Sequence, residues 1–191
     1  MKHKFLKSVA GLAMFASAFA FAQTPYPTKP ITMIVPFAAG GPTDTVARLV
    51  AQSMTNTLKQ TVLVENVGGA GGTIGAARVA KSAPDGYTLF LHHIGQSTAP
   101  SLYRKLSYNA IDDFEPIGLI TDVPMTFIAR GDFPAKDLKE LLAYVKANKT
   151  KVTYANAGIG SASHLCGMLF MAAIDTELHT GRAEVCAALL A

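Results

Sequence analysis

Four residues that follow a short apolar run have the types and the spacing to hold an anion. Gly40, Gly41, Thr43 and Asp44 come after residues 31–35, a stretch rich in β-branched side chains. Paired glycines allow a sharp turn and a close approach of the backbone to a ligand. Thr43 or Asp44 can cap a following helix, whose first N–H groups are unpaired and favour negative charge. The pattern predicts a strand, a glycine turn and a helix start that bind a small anion.

A second loop of the same kind spans residues 156–161 and contains Gly158, Gly160 and Ser161. Ligands of open α/β sheets bind where strands pass into helices. Either loop alone is as well explained by ordinary strand-to-helix turn chemistry. A helix N-terminus stabilises an anion by roughly 0.3–1 kcal/mol, and by up to about 2 kcal/mol when partly buried. The two loops together therefore predict a clamp for a small carboxylate that needs no arginine.

Asp44 has two interpretations. A carboxylate at a helix start is most often a cap, and the alternative is that it accepts a hydrogen bond from a ligand amine, a hydroxyl or a bound water. Catalysis has little support, because the sequence contains no Gly-x-Ser-x-Gly elbow and no histidine and acid that pair with a nucleophile. An enzyme that uses Asp44 or a histidine as its base is the weakest hypothesis.

Other residues whose types could bind a ligand or a metal are better explained by structural roles. The glycine run 68–75 fits neither the dinucleotide fingerprint nor a P-loop. We expect it to be a close-approach turn that packs the second helix on the sheet, with lining of the cleft as a further option. His92 and His93 are adjacent, so on a strand they point to opposite faces, and no acid or cysteine stands at metal spacing. We predict no metal site and no cofactor, and His164 is either a cap or a ligand contact.

Strand and helix patterns alternate along the chain. Short runs at 31–35, 61–65, 87–91 and 152–154 predict strands. The first helix pattern carries Val46, Val50, Met54 and Leu58, with Leu49 beside them. Another helix pattern runs through residues 74–79. Strands separated by helices predict βαβ units and a parallel sheet.

The pattern changes after Phe114. Two short extended runs, 117–120 and 125–129, are consistent with a crossover into a second lobe. A helix is then predicted from Asp137, with Glu140 as its capping-box partner. The apolar face of this helix comprises Leu138, Leu141, Leu142 and Val145.

The N-terminus has the form of a secretion signal. Lys2, Lys4 and Lys7 precede the apolar residues 9–21, and a small-residue cleavage site ends at Ala22. The apolar run is shorter than the roughly 20 residues of a membrane span, so we predict export, cleavage and no membrane insertion of the mature chain. The 17 basic residues minus three in the signal, set against 13 acidic ones, leave a net charge of about +1. This near-neutral balance gives no support for a nucleic-acid partner.

The two cysteines leave alternatives open. Cys166 and Cys186 form an even pair in an oxidising compartment, so a disulfide is one option. Cys166 stands among apolar residues of a helix pattern. A buried free thiol is the favoured interpretation.

From Tyr26 to about Thr176 the chain resembles the substrate-binding receptors of tripartite tricarboxylate transporters, the Bug family. The resemblance rests on motifs that are individually weak and specific in their combination and order. These motifs lie at residues 26–31, 36–44, 64–66, 83–87, 100–103, 113–118 and 154–158.

The resemblance implies a periplasmic two-lobed α/β fold, of the type II periplasmic-binding-protein class, that closes on a small mono- or dicarboxylate. It implies a signal peptide at 1–22, lobe one at 23–120 and a partial lobe two at 121–191, with membrane permease subunits as partners. In that family the two glycine loops grip carboxylates through amides, hydroxyls and waters. Carried over by position, the site residues are Phe37, Ala38, Gly40, Gly41, Thr43, Asp44, Ala157, Gly158, Gly160, Ser161 and, less securely, His164.

The chain departs from the family after the second-lobe helix. Family members usually carry a Val-Pro-Tyr-Lys/Arg-Gly segment there and then complete both lobes. Here residues 178–182 read Leu-His-Thr-Gly-Arg and the sequence ends at Ala191. We expect a frameshift or small deletion followed by an early stop, with a genuine half-length member as the alternative. The corresponding function hypotheses are a carboxylate receptor and a non-functional truncated remnant of one.

Overall fold

The computed structural model describes residues 25–122 and 124–182. The predicted signal peptide and Cys186 lie outside these residues. The first part of the chain contains β1 (Ile31–Val35), α1 (Pro42–Leu58), β2 (Val62–Asn66), a 3₁₀ turn (Ala70–Gly72), α2 (Thr73–Ala80), β3 (Thr88–Phe90) and α3 (Gly95–Leu102). The second part contains α4 (Leu138–Ala147), β4 (Thr153–Asn156), α5 (Ala162–Ala173) and β5 (His179–Arg182). We call residues 31–102 the first unit and residues 138–182 the second unit.

The first unit is built on a parallel sheet of order β2–β1–β3. The central strand pairs Met33 with Val64 on one side and with Leu89 on the other. β1 is the central strand, and its side chains are almost all buried, as is usual for a strand of a parallel sheet whose faces are covered by helices. The predicted parallel α/β architecture is confirmed.

Helix α1 packs on this sheet through small residues as well as large ones. Ala47 and Ala51 are fully buried against β1, and Val50 and Met54 border the same cluster. Leu49, which the sequence placed beside this face, is 64% exposed. The two alanines form the buried stripe because a small side chain lets the helix approach the sheet closely.

Helix α4 begins as predicted. The N–H of Glu140 donates to Oδ1 of Asp137 at 2.8 Å, and Oε2 of Glu140 accepts the N–H of Lys136 at 2.9 Å. This is a reciprocal capping arrangement. Val145 is the buried residue of its apolar face, whereas Leu138 is 63% exposed.

The second unit is smaller. Strands β4 and β5 form a two-stranded parallel sheet, and α5 connects them. The predicted extended runs 117–120 and 125–129 lie between the two units, but neither forms a strand. Their large side chains are exposed, with Ile117 at 86% and Leu119 at 82%. Within the described residues, no helix is long and apolar enough to cross a bilayer.

Candidate ligand-binding site

The first glycine loop, residues 36–44, joins β1 to α1. Gly40 has a φ of +80°, a conformation that favours glycine. Helix α1 begins at Pro42, whose ring presets the first helical residue, and Gly41 is the N-cap. The expectation that Thr43 or Asp44 is the N-cap is therefore wrong, because both residues already lie inside the first turn.

Asp44, in the first turn of α1, holds this loop in place through hydrogen bonds of its side chain. Its side chain is 2% exposed. Oδ2 accepts the N–H of Gly40 and the Nε–H of Arg48, each at 2.8 Å. Oδ1 accepts the Nδ2–H of Asn66 at 2.9 Å, and Asn66 also donates to the carbonyl of Phe37 at 3.0 Å. One buried carboxylate thus connects the loop, helix α1 and strand β2.

The charge of Asp44 is compensated by these contacts. Burial by itself acts to raise the pKa of Asp44, but the hydrogen bonds from Arg48, Gly40 and Asn66 outweigh it and lower the pKa below its ordinary value. Asp44 is therefore ionised at neutral pH. Both of its oxygens accept hydrogen bonds from described residues, and these contacts hold the loop in place.

Several backbone donors of the first loop are open. Among the described residues, none accepts a hydrogen bond from the N–H groups of Phe37, Ala38 and Ala39. The N–H groups of Thr43 and Asp44 lie in the first helical turn, where no intrahelical acceptor exists. These amides form a set of donors suited to an anion.

The second glycine loop, residues 156–161, uses its amides differently. The N–H of Ala157 donates to Oγ of Ser163 at 3.0 Å, and that of Gly160 donates to Nδ1 of His164 at 3.3 Å. The N–H of Gly158 donates to the side chain of Asn156 at 2.9 Å. Side chains within the loop and α5 therefore satisfy these three amides.

Ser161 begins the helix that follows this loop. It is the N-cap of α5, and its Oγ accepts the N–H of His164 at 3.2 Å. Oγ of Ser161 also shares a hydrogen bond with Oγ of Ser163 at 3.1 Å. Of the two roles expected for His164, the structure shows a local one, in which the residue ties the loop to the first turn of α5.

The second loop rests directly on the first unit. The hydroxyl of Tyr103 donates to the carbonyl of Ile159 at 2.7 Å. Gly71, in the 3₁₀ turn, approaches the same carbonyl so closely that an added Cβ would stand 1.9 Å from it. A Cβ on Gly158 would in turn lie 3.2 Å from the N atom of Gly71. Glycine on both sides allows this backbone-to-backbone contact.

The glycine run 68–75 has two structural roles. A Cβ on Gly75 would lie 2.9 Å from Cβ of Pro36, so this glycine packs α2 against the end of β1. That contact confirms the predicted close-approach turn. Sequence reasoning missed the second role, which is the contact of Gly71 with the loop of the second unit.

Both loops line one cleft of about 2630 Å³. Six of the predicted site residues contribute to its walls: Phe37, Ala38, Gly41, Thr43, Ala157 and Ser161. Five do not: Gly40, Asp44, Gly158, Gly160 and His164. These five residues belong to the two loops or the helices that follow them but do not line the cleft.

His92 and His93 form part of the cleft wall. They follow the end of β3 rather than lying within it, so the expected opposite orientation does not hold, and their rings are 4.9 Å apart. Burial lowers the pKa of His92 to about 3 and that of His93 to about 4, so both rings are neutral at neutral pH. Among the described residues, no three His, Cys, Asp or Glu side chains cluster as a metal site.

Sequence reasoning missed four supporting residues, which are Arg48, Asn66, Tyr103 and Ser163. The i, i+4 spacing of Asp44 and Arg48 is a detectable signal for an ion pair on one helix face. Tyr103 and Asn66 act across long sequence separations, so local patterns carry no signal for them.

The chain is similar to known proteins of one family. The profile of the tripartite tricarboxylate transporter family receptors matches residues 46–190. A UPF0065 protein from the TAR-I ttuE–ttuC′ intergenic region of Agrobacterium vitis is 57% identical over 157 residues, which cover 82% of this chain and 45% of that protein. The protein BugT of Bordetella pertussis is 39% identical over 181 residues, covering 92% of this chain and 51% of that protein.

Solved structures show the same fold. The periplasmic binding protein BugD superposes with a TM-score of 0.82 at 57% identity, covering 86% of this chain and 56% of its own. Rpa4515 of R. palustris, solved with adipate, has a TM-score of 0.82 at 30% identity and covers 87% of this chain and 56% of its own. MatC of Rhodopseudomonas palustris, with bound malate, has a TM-score of 0.80 at 41% identity, and the match covers 86% of this chain and 56% of the MatC chain.

The chain spans about half the length of the relatives that it matches. The family profile nevertheless covers most of this chain, from residue 46 to residue 190, and includes the second glycine loop. On this evidence the chain belongs to the tripartite tricarboxylate transporter receptor family.

Proposed function

We propose that this protein is an extracytoplasmic solute-binding receptor for a small organic acid and performs no chemistry on it. The observation that carries the proposal is the convergence of the two glycine loops on one cleft. Each loop precedes a helix, α1 or α5, whose N-terminal end favours a negative charge. Family structures with adipate and with malate support a carboxylate as the ligand.

The two loops have different parts in binding. The open amides of Phe37, Ala38 and Ala39 and the first turn of α1 supply the main donors to the carboxylate. Ser161 and Ala157 contribute to the opposite wall with small side chains. Water-bridged contacts suit this wall, because its own amides are engaged within the loop.

The site has the composition of a binding site rather than that of a catalytic one. The best-placed acid, Asp44, is buried and accepts three hydrogen bonds from described residues. The candidate bases His92 and His93 lie against aromatic rings. The enzyme hypothesis requires turnover that is lost in Asp44→Asn, whereas the receptor requires only ligand-dependent stabilisation.

The cellular setting follows from the same proposal. The signal-like N-terminus directs the chain to the periplasm with cleavage near Ala22, and residues 23–120 and 121–191 correspond to the two lobes. Lobe closure around the anion then presents the receptor to membrane permease subunits of a tripartite transporter. The relatives carry these properties as whole proteins, of which this chain spans about half.

Thermal unfolding with a panel of mono- and dicarboxylates tests the proposal. A carboxylate at one hundred times its Kd raises the free energy of unfolding by about 2.7 kcal/mol. Thr43→Val, at the cleft, should reduce the shift. Thr57→Val, near the far end of the same helix, should leave it unchanged. A folded chain with no shift for any carboxylate contradicts the proposal and favours the remnant.

A further inference from the structure

The second glycine loop lies against the end of helix α3. Tyr103 directly follows this helix, and its N–H donates to the carbonyl of Ala99 at 3.0 Å, which ties its backbone to the last turn. Its hydroxyl donates to the carbonyl of Ile159 at 2.7 Å. A Cβ on Gly71 would stand 2.8 Å from the same hydroxyl oxygen. The end of α3 and the 3₁₀ turn therefore meet the second loop at one point, the carbonyl of Ile159.

A weaker contact lies nearer the start of α3. A Cβ on Gly95 would stand 3.0 Å from the carbonyl oxygen of Gly160. The hydroxyl of Thr98 is 3.5 Å from that oxygen, and it also faces the carbonyls of Ile94 and Gly95 at 3.3 and 3.5 Å. The hydroxyl of Tyr103 thus makes the shorter of the two hydroxyl contacts with the second loop, at 2.7 Å.

Ile159 stands midway between the two residues of its loop that line the cleft. Ala157 and Ser161 contribute to the cleft wall, each two positions from Ile159. Of the described residues, Tyr103 and Ile159 are not part of that wall. Tyr103 is therefore placed to hold the wall in position without touching what the cleft binds.

The connection between the two units does little to fix the cleft. Its run 117–120 belongs to neither sheet of the described chain, and the side chains of Ile117 and Leu119 are exposed. Movement of the units away from each other would separate the hydroxyl of Tyr103 from the carbonyl of Ile159, because the first follows the first unit and the second belongs to the second unit. A contact that exists in only one of two arrangements shifts the equilibrium toward that arrangement.

We propose that Tyr103 is a positioning residue of the binding site: its hydroxyl holds the second glycine loop against the first unit and thereby slows the release of the ligand. The inference rests on the proposed receptor function and adds a residue that controls the lifetime of the complex. A bound ligand leaves when the loop moves away, so the hydrogen bond to Ile159 acts on the dissociation rate.

Surface plasmon resonance of the full chain with malate and with adipate tests this assignment. Tyr103→Phe keeps the ring and removes the hydroxyl, so the dissociation rate should rise about three- to tenfold, the range of one net hydrogen bond. The factor should be the same for both acids, because Tyr103 touches neither. A group in direct contact with the ligand would distinguish the shorter acid from the longer one.

Tyr26→Phe is the matched control. The hydroxyl of Tyr26 also donates to a carbonyl, that of Gly86, but this bond does not involve the second loop. The variant loses the same kind of hydrogen bond and should release both acids at the rate of the wild type.

Limited proteolysis without added carboxylate gives a readout that does not depend on binding. Cleavage within residues 156–161 follows the population in which the loop has left the first unit. It should be faster in Tyr103→Phe and unchanged in Tyr26→Phe. Circular dichroism of each variant establishes that the fold is retained.

The outcomes separate the two proposals. Dissociation rates that are unchanged in Tyr103→Phe, or that change for one acid alone, overturn the role of Tyr103 and leave the receptor function intact. Absence of binding by any carboxylate in the folded wild type overturns the receptor function. Unchanged cleavage of residues 156–161 in Tyr103→Phe overturns the loop-holding role separately.

Discussion

The two glycine loops have similar compositions and nearly opposite hydrogen-bond patterns. In the first, a buried carboxylate holds the turn from behind, and the amides of Phe37, Ala38 and Ala39 are left open among the described residues. In the second, the amides of Ala157 and Gly160 are taken by side chains of α5. A glycine-rich strand-to-helix loop is therefore not by itself a set of free donors.

The loops also differ in what supports them. The first follows β1, which lies in the middle of a parallel sheet with a buried core. From residue 138 onward, the buried hydrophobic residues within the described chain are Val145 and Ile174. The second loop is instead positioned by its contacts with Tyr103 and Gly71 of the neighbouring elements. The core of the first unit supports the first loop. The second loop depends on its contacts with Gly71 of the first unit and with Tyr103, which follows that unit in the chain.

Removal of the Asp44 carboxylate should have the largest effect. In Asp44→Ala three donors lose a charged acceptor, and we expect a loss of about 3 kcal/mol in the free energy of unfolding. Urea unfolding followed by circular dichroism measures it. Asp85→Ala, which removes an exposed ion pair with Lys29, should cost much less, because solvent screens such a pair. Equal losses in the two variants would show that Asp44 does not hold the first loop.

A side chain at Gly71 should separate the second loop from the first unit. Gly71→Ala places a Cβ 1.9 Å from the carbonyl of Ile159 at a φ of +63°, and we expect a loss of about 2 kcal/mol. Limited proteolysis should then cleave within residues 156–161. Gly118→Ala, where no atom lies within 4 Å of the added Cβ, should leave the cleavage pattern unchanged. An intact second loop in Gly71→Ala would contradict the proposed dependence on this contact.

Mild acid should weaken the first unit through its two buried histidines. Because burial depresses the folded-state pKa values of His92 and His93 to about 3 and about 4, the unfolded chain binds protons first, below pH 6.5. Stability is thus complete above pH 6.5 and falls as the pH decreases toward these values. Between pH 7 and pH 5.5 we expect a loss of about 1.2 kcal/mol for the pair, after roughly halving the full effect for partial exposure.

Urea midpoints at the two pH values measure this loss. The His92→Phe/His93→Phe double variant should show a flatter pH dependence over the same interval. Asp44 does not contribute there, because its pKa is lowered from an ordinary value that already lies below the interval. The same slope in the double variant would assign the effect to other groups.

Loss of the serine cap should have the smallest effect. Ser161→Ala removes the N-cap hydrogen bond to His164, and we expect a loss of about 1 kcal/mol. The change should be confined to the second unit, so hydrogen exchange should increase in α5 and remain unchanged in α1, whose N-cap is a glycine. Increased exchange in both helices would mean that the two loops are coupled more closely than their contacts indicate.

Local sequence patterns were sufficient to predict the parallel α/β pattern, the position of β1 and the start of α4. These features depend on local periodicity and capping, so neighbouring residues carry the signal. The short β-branched run at residues 31–35 and the pairing of Asp137 with Glu140 are examples. Both glycine loops were located in the same way, and the site residues assigned within them remain predictions.

The hydrogen bonds and contacts of those loops depend on residues that are far apart in the sequence. Asp44 was a cap or a ligand contact on local grounds, and its function became clear because Asn66, 22 residues away, completes its hydrogen bonds. The contact of Gly71 with Ile159 and the stack of Phe37 on His93 join residues more than 50 positions apart. Such contacts depend on how the elements pack, and local sequence patterns specify the elements more directly than their packing.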